Sequence, residues 1–138
     1  MDPTFAPIIR TQSDLEAAWR FLMGPWGFGG ASVWMLVVRP DDSLLPHLTE
    51  IAEANEPPGE EATQRFAEVL VGLDLQPGER LAFLRSRPGT PDVTAADRAW
   101  AASLYASARA AGAPCEVVHL ATEGDVRPVP VDELPATA

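Results

Sequence analysis

Apolar positions recur along this chain with two periods, and the switches between them mark out alternating helices and strands. From Leu15, the apolar residues Ala18, Trp19 and Leu22 return at helical spacing. Ser13-Asp14-Leu15-Glu16 reads as the capping box that opens this helix, and Gly24-Pro25 ends it. Residues 33–39 are almost continuously apolar, the pattern of a strand buried on both faces. Pro40-Asp41-Asp42-Ser43 has turn chemistry, and 44–54 reads as a returning strand whose start Pro46 confines to an edge. Glu60 and Glu61 suit a helix N-terminus, with Ala62, Phe66, Val69 and Leu70 as its inward face. Residues 81–87 read as the next strand. Thr94 then opens the longest helix, which runs to residue 111 with Trp100, Leu104, Ala108 and Ala111 as its buried stripe. Segments 116–121 and 126–131 read as the last strands, and the tail from 132 to 138 as loosely ordered.

The expected order is therefore α-β-β-α-β-α-β-β, a single-domain α/β fold over residues 1–131 with a mixed sheet and flanking helices. The strand–helix–strand unit at 81–121 is expected to be parallel and right-handed. The chain has 138 residues, 46% of them hydrophobic, which is enough for one proper core. No apolar run reaches membrane-spanning length; the longest, 33–38, is only strand length. The N-terminal residues Met1-Asp2-Pro3-Thr4 lack the charged and apolar regions of a secretory signal, so a cytoplasmic location is expected.

Charge narrows the partners. The formal net charge is −10, with a pI near 4.5, which argues against nucleic acid and against an anionic membrane. All 10 basic residues are arginine, so neither Schiff-base chemistry nor a P-loop lysine is available. Cys115 is the only cysteine, which rules out an intramolecular disulfide and a thiolate metal cluster. His119, four residues on in the same expected strand, is its only sequence-near base, and the pair is spaced too widely for an activated thiol. His47 and His119 fall in separate segments with no acid or thiol cluster at metal spacing, so packing or surface roles are expected of both. The loop Pro25-Trp26-Gly27-Phe28-Gly29-Gly30 leads from a helix into a strand, the reverse of a dinucleotide fingerprint. Its aromatics are expected to close one end of the core.

The most informative stretch is Arg85-Ser86-Arg87-Pro88-Gly89, followed by Thr94 and Asp97. It resembles the signature of the zinc-dependent JAMM/MPN isopeptidases and the bacterial RadC-like proteins, in which a strand ends in His-x-His-Pro and a helix opens with Ser-x-x-Asp. The element order is similar to that family's over 11–131, a fold related to cytidine deaminases. Motif resemblance is confined to 81–112, and the spacing from Arg87 to Thr94 is one residue shorter than the family's. The resemblance puts Arg85 and Arg87 at the histidine places, Thr94 at the serine place and Asp97 at the aspartate place. The family's general-base glutamate would fall near Gly30, Ala31 and Ser32, where no acid stands.

Arginine has no lone pair to offer a metal. The resemblance thus implies a degenerate domain with no zinc, no other cofactor and no catalytic residues, working through protein partners or as a homodimer. Candidate contact surfaces are the Trp26/Phe28 loop and the edge segment 126–131. The alternative is a small-anion or peptide-carboxylate site built from Arg85, Ser86, Arg87, Thr94 and Asp97, with two guanidinium forks at a helix N-terminus. Thr94 and Asp97 also read as a simple capping box. Asp97 paired with an arginine would close such a site from within, and exposed arginines at a solvated strand end are the remaining possibility.

Overall fold

A computed structural model describes residues 8–23, 30–45, 48–51, 56–123 and 125–130. These residues contain three helices, α1 (Gln12–Met23), α2 (Glu60–Gly72) and α3 (Ala95–Ala110), and five strands: β1 (Ser32–Val38), β2 (Thr49–Ile51), β3 (Arg80–Ser86), β4 (Val118–Thr122) and β5 (Asp125–Val129). The strands form one mixed sheet in the order β2-β1-β3-β4-β5. β3 and β4 run parallel, joined by α3, and every other neighbouring pair is antiparallel.

Alternation along the central strands divides the core between two layers. Val33, Met35, Leu81, Phe83, Val118 and Leu120 pack with Leu70 of α2 and Ala101, Leu104 and Ala108 of α3. Leu36, Val38, Ala82, Leu84 and Ala121 face the other way, against Leu15, Ala18, Trp19 and Met23 of α1. β1 and β3 are therefore covered on both faces, which is why their sequences read as unbroken apolar runs.

Several boundaries differ from the sequence reading for physical reasons. α1 is capped by Thr11 and Asp14: Thr11 Oγ1 accepts from Asp14 N at 3.1 Å, and Asp14 Oδ2 accepts from Thr11 N at 3.1 Å. Two overlapping capping frames exist in this stretch, and the earlier one leaves Glu16 free to work elsewhere. The inward face of α2 is Phe66, Ala67 and Leu70, whereas Val69 is 58% exposed. The stripe of α3 is centred on Ala101, Leu104 and Ala108, with Trp100 and Ala111 only partly buried against the core. Among the described residues, the returning strand covers Thr49–Ile51, and Leu44 contributes an isolated bridge to Val38. Cys115 bridges Leu81 ahead of β4, so it does not share a strand with His119. The loop with Trp26 and Phe28, His47 and the tail from 132 lie outside the described residues.

The join between α2 and α3 is polar. Thr63 and Ser103 share a hydrogen bond of 2.6 Å, and Ser107 Oγ donates to Thr63 O at 3.0 Å. Small hydroxyl side chains let the two helices approach closely while meeting their own hydrogen-bonding needs. Tyr105 ties the last ladder together. Its hydroxyl accepts from Val118 N and donates to Val129 O, each at 2.8 Å.

Candidate functional site

The end of β3, the loop 87–94 and the first turn of α3 enclose one carboxylate. β3 ends at Ser86, one residue short of the expected 87, but Arg87 N still donates to Ala121 O at 3.1 Å, so the strand alternation carries on and the side chains of Arg85 and Arg87 leave the same face of the sheet. That face carries α3, and its Asp97 lies between them. Arg85 Nε donates to Asp97 Oδ1 at 2.9 Å, and Arg87 Nε lies 2.9 Å from Oδ1 and 3.1 Å from Oδ2. Arg87 Nη2 donates to Oδ2 at 2.8 Å. Asp97 also accepts the Thr94 backbone N–H at 2.8 Å, while Thr94 Oγ1 accepts from Asp97 N at 3.2 Å. The capping box expected of Thr94 and Asp97 is thus present, and its acid doubles as the anion of the pair of arginines.

Burial and charge act against each other here. The side chains of Asp97 and Arg85 are 1% and 6% exposed, so these arginines do not form a solvated strand end. Burial alone pushes the Asp97 carboxyl up, but hydrogen bonds from Arg87, the Thr94 backbone and Arg85 outweigh it and hold it down at about 2. The same hydrogen bond with Asp97 raises Arg87 above its ordinary value, despite the opposing effect of burial. A carboxylate so stabilised is a poor proton acceptor at neutral pH. It is also the only side-chain oxygen group that positions 85, 87 and 97 offer, and both of its oxygens already accept hydrogen bonds. This set does not fit a zinc ion.

Arg87 also shapes the loop. Nη1 donates to Pro88 O at 3.1 Å and Thr90 O at 2.9 Å, and Nη2 donates to Asp92 O at 2.8 Å. Together with the bonds to Asp97, these engage every N–H donor of the guanidinium. The wrap requires Gly89, whose φ is +104° and where a Cβ would sit 3.3 Å from Arg87 Nη1. An anion approaching Arg87 would have to displace contacts already made within the chain. Arg85 lies over the Trp100 ring, 5.6 Å from its centroid. Trp100 follows Asp97 by three residues on α3, so this neighbour was legible from helical spacing once the acid was identified.

Four of the five singled-out residues, Arg85, Arg87, Thr94 and Asp97, therefore meet. Ser86 does not. It faces the opposite layer, where its Oγ accepts from Trp34 Nε1 at 2.8 Å, as strand alternation requires.

The other sequence candidates separate. The Cys115 thiol is pushed up to about 12, chiefly by burial and secondarily by Glu116, which leaves it protonated at neutral pH. His119 is fully buried in β4, with Nδ1 3.0 Å from Val117 O and Nε2 3.9 Å from Glu16 Oε2. Among the described residues, no group of three or more His, Cys, Asp or Glu is placed to hold a metal ion. No described helix is long and apolar enough to cross a membrane.

The β5 edge, one of the candidate contact surfaces, offers an outward row that is partly closed. Tyr105 bridges Val118 N to Val129 O, which places the Val129 backbone groups on the β4 side. Pro128, one position back, therefore belongs to the outward row, as a residue without an N–H must at an edge. Val126 is in the same row, and its carbonyl accepts from Arg20 Nη2 at 3.0 Å. This edge is blunted against strand addition.

Comparison of the chain with family models, with curated proteins and with solved structures finds no match in any of the three.

Proposed function

We propose that the chain is a non-catalytic domain of RadC/JAMM-like kind, working in the bacterial cytoplasm through contacts with a protein partner or a second copy of itself. One observation carries this reading. At the positions where the resemblance expects metal ligands, the Asp97 carboxylate is enclosed by Arg85 and Arg87 with 1% of its side chain exposed. In an active family member, two side chains one residue apart on a strand grip a metal, and the helix acid is its third ligand. Here the same arrangement grips the acid itself. The guanidinium groups supply the positive charge that a metal would, so the shape persists without an open coordination position.

The contact surface follows from what is exposed. Strand addition at β5 is disfavoured by Pro128. Val69 and Leu73, one helical turn apart at the C-terminal end of α2, are 58% and 39% exposed, an apolar pair suited to a protein contact.

The test combines metal content with association state on the untagged full chain. Mass spectrometry is expected to find far less than one zinc per chain, and sedimentation to find self-association or complex formation that Val69→Glu weakens. One zinc per chain, or turnover of an isopeptide substrate that depends on Asp97, overturns the proposal. A chain that stays monomeric and retains no partner in pull-downs from its own host overturns the contact half of it.

A further inference from the structure

The α1 face of the sheet contains a buried group that neither the core nor the proposed function uses. His119 points from β4 toward α1 and is 0% exposed. Its Nδ1 lies 3.0 Å from the Val117 carbonyl, which can only accept, so Nδ1 carries the proton and Nε2 presents a bare lone pair. Among the described residues, Nε2 has no hydrogen-bond partner, and neither has Trp19 Nε1 on the helix that covers it. Buried polar atoms are rarely left in this state, so the site is a weak point in the α1 layer.

We propose that His119 makes the docking of α1 acid-labile: protonation at Nε2 favours a form in which α1 lifts off the β4–β5 half of the sheet while the sheet stays folded. The charged groups around the ring explain the direction. From α1, Glu16 Oε2 lies 3.9 Å from Nε2, but Glu16 Oε1 is already bonded to Arg20 Nη2 at 3.2 Å. Arg20 brings a second positive charge and reaches Asp125 at 3.9 Å and Val126 O at 3.0 Å on β5. Glu116, ahead of β4, is paired with Arg80. β3 presents Ala82, Leu84 and Ser86 to this face, none of them titratable at neutral pH.

Among the described residues, one shared carboxylate therefore lies within 4 Å of a ring cut off from water, and burial, the largest influence, holds the imidazole below its ordinary value. Lifting α1 exposes the ring to water, where it titrates normally. The open form then takes up the proton more readily than the docked form, and acid populates it. Asp14 in the α1 cap is held below the usual carboxylate range by backbone hydrogen bonds from Arg10 and Thr11, so the cap stays charged throughout this window.

Amide hydrogen exchange on the full chain, corrected for intrinsic rates, tests the proposal between about pH 7.5 and about pH 5.5. The opening equilibrium of the α1 amides is expected to rise by up to about tenfold per pH unit below about 6.5. The amides of β3 should remain protected. His119→Gln should flatten the dependence. Glu16→Gln, which leaves the imidazole in place and removes its only attractive neighbour on α1, should enlarge α1 opening at the acid end, and it remains informative if His119→Gln does not fold. Equal α1 protection at both pH values, or simultaneous loss of protection in α1 and β3, overturns the idea.

Discussion

Two buried ionisable groups lie on opposite faces of one sheet, and they have been treated in opposite ways. On the α3 face, Asp97 is kept charged, with both carboxylate oxygens engaged by Arg85, Arg87 and the Thr94 N–H. On the α1 face, His119 is kept neutral, with one nitrogen bonded to a carbonyl and the other without a partner among the described residues. Both side chains are essentially inaccessible to water. Burial therefore does not decide protonation by itself. What decides it is whether hydrogen-bond donors and counter-charges converge on the group.

The largest effect is expected where that convergence is destroyed. Asp97→Ala strands two buried guanidinium groups and should cost about 3–5 kcal/mol, read as a lowered denaturation midpoint. Asp97→Asn keeps the shape but not the charge, and should recover little of the loss. Arg87→Ala should cost about 3 kcal/mol and also release the loop 88–93, because Arg87 binds three of that loop's carbonyls. Protease cutting confined to this loop is the sharper readout. A near-neutral Asp97→Ala would remove the contrast between the two faces.

Acid should separate the two sites. Asp97 is depressed from 3.8 to about 2 in the fold. Its contribution of about 2 kcal/mol is present above the unfolded value and is lost as pH falls from about 4 toward 2. His119 is also depressed, but as a base its contribution is present above its ordinary value of 6.5 and erodes as pH falls below that. A stability profile recorded by urea denaturation should therefore fall in two steps, with the upper one absent in His119→Gln.

Tyr105→Phe removes the hydroxyl that links Val118 N to Val129 O and should cost about 1–2 kcal/mol, with exchange rising at the β4–β5 end. The exposed Arg65–Glu61 pair sets the lower limit: Arg65→Ala should change stability by less than about 0.5 kcal/mol. A larger loss there would mean that solvent-facing charge contributes more than this comparison allows.

Much of the fold was legible because it depends on local periodicity. The apolar run in β1, the turn before it returns, the two glutamates opening α2 and the Thr94 cap each express chemistry within a few residues. The sequence reading failed where two local answers compete or where a distant neighbour decides. Overlapping frames at 11–14 and 13–16 both satisfy a capping box, and only the chain's path into α1 selects Thr11 and Asp14. Val69 and Ala67 are equally plausible inward residues of α2 until the position of α3 rotates the helix.

The sequence by itself determined the α/β class, the placing of Arg85 and Arg87 on one side of a strand, and the capping role of Thr94 and Asp97. Each follows from backbone periods that hold whatever the surroundings. Only the tertiary structure decided that the two arginines close on Asp97, that Ser86 belongs to the other layer's hydrogen bonding, that Pro128 blunts the β5 edge, and that His119 is buried beneath α1. Those outcomes depend on which groups meet across the sheet, and on the loss of water that makes each meeting consequential.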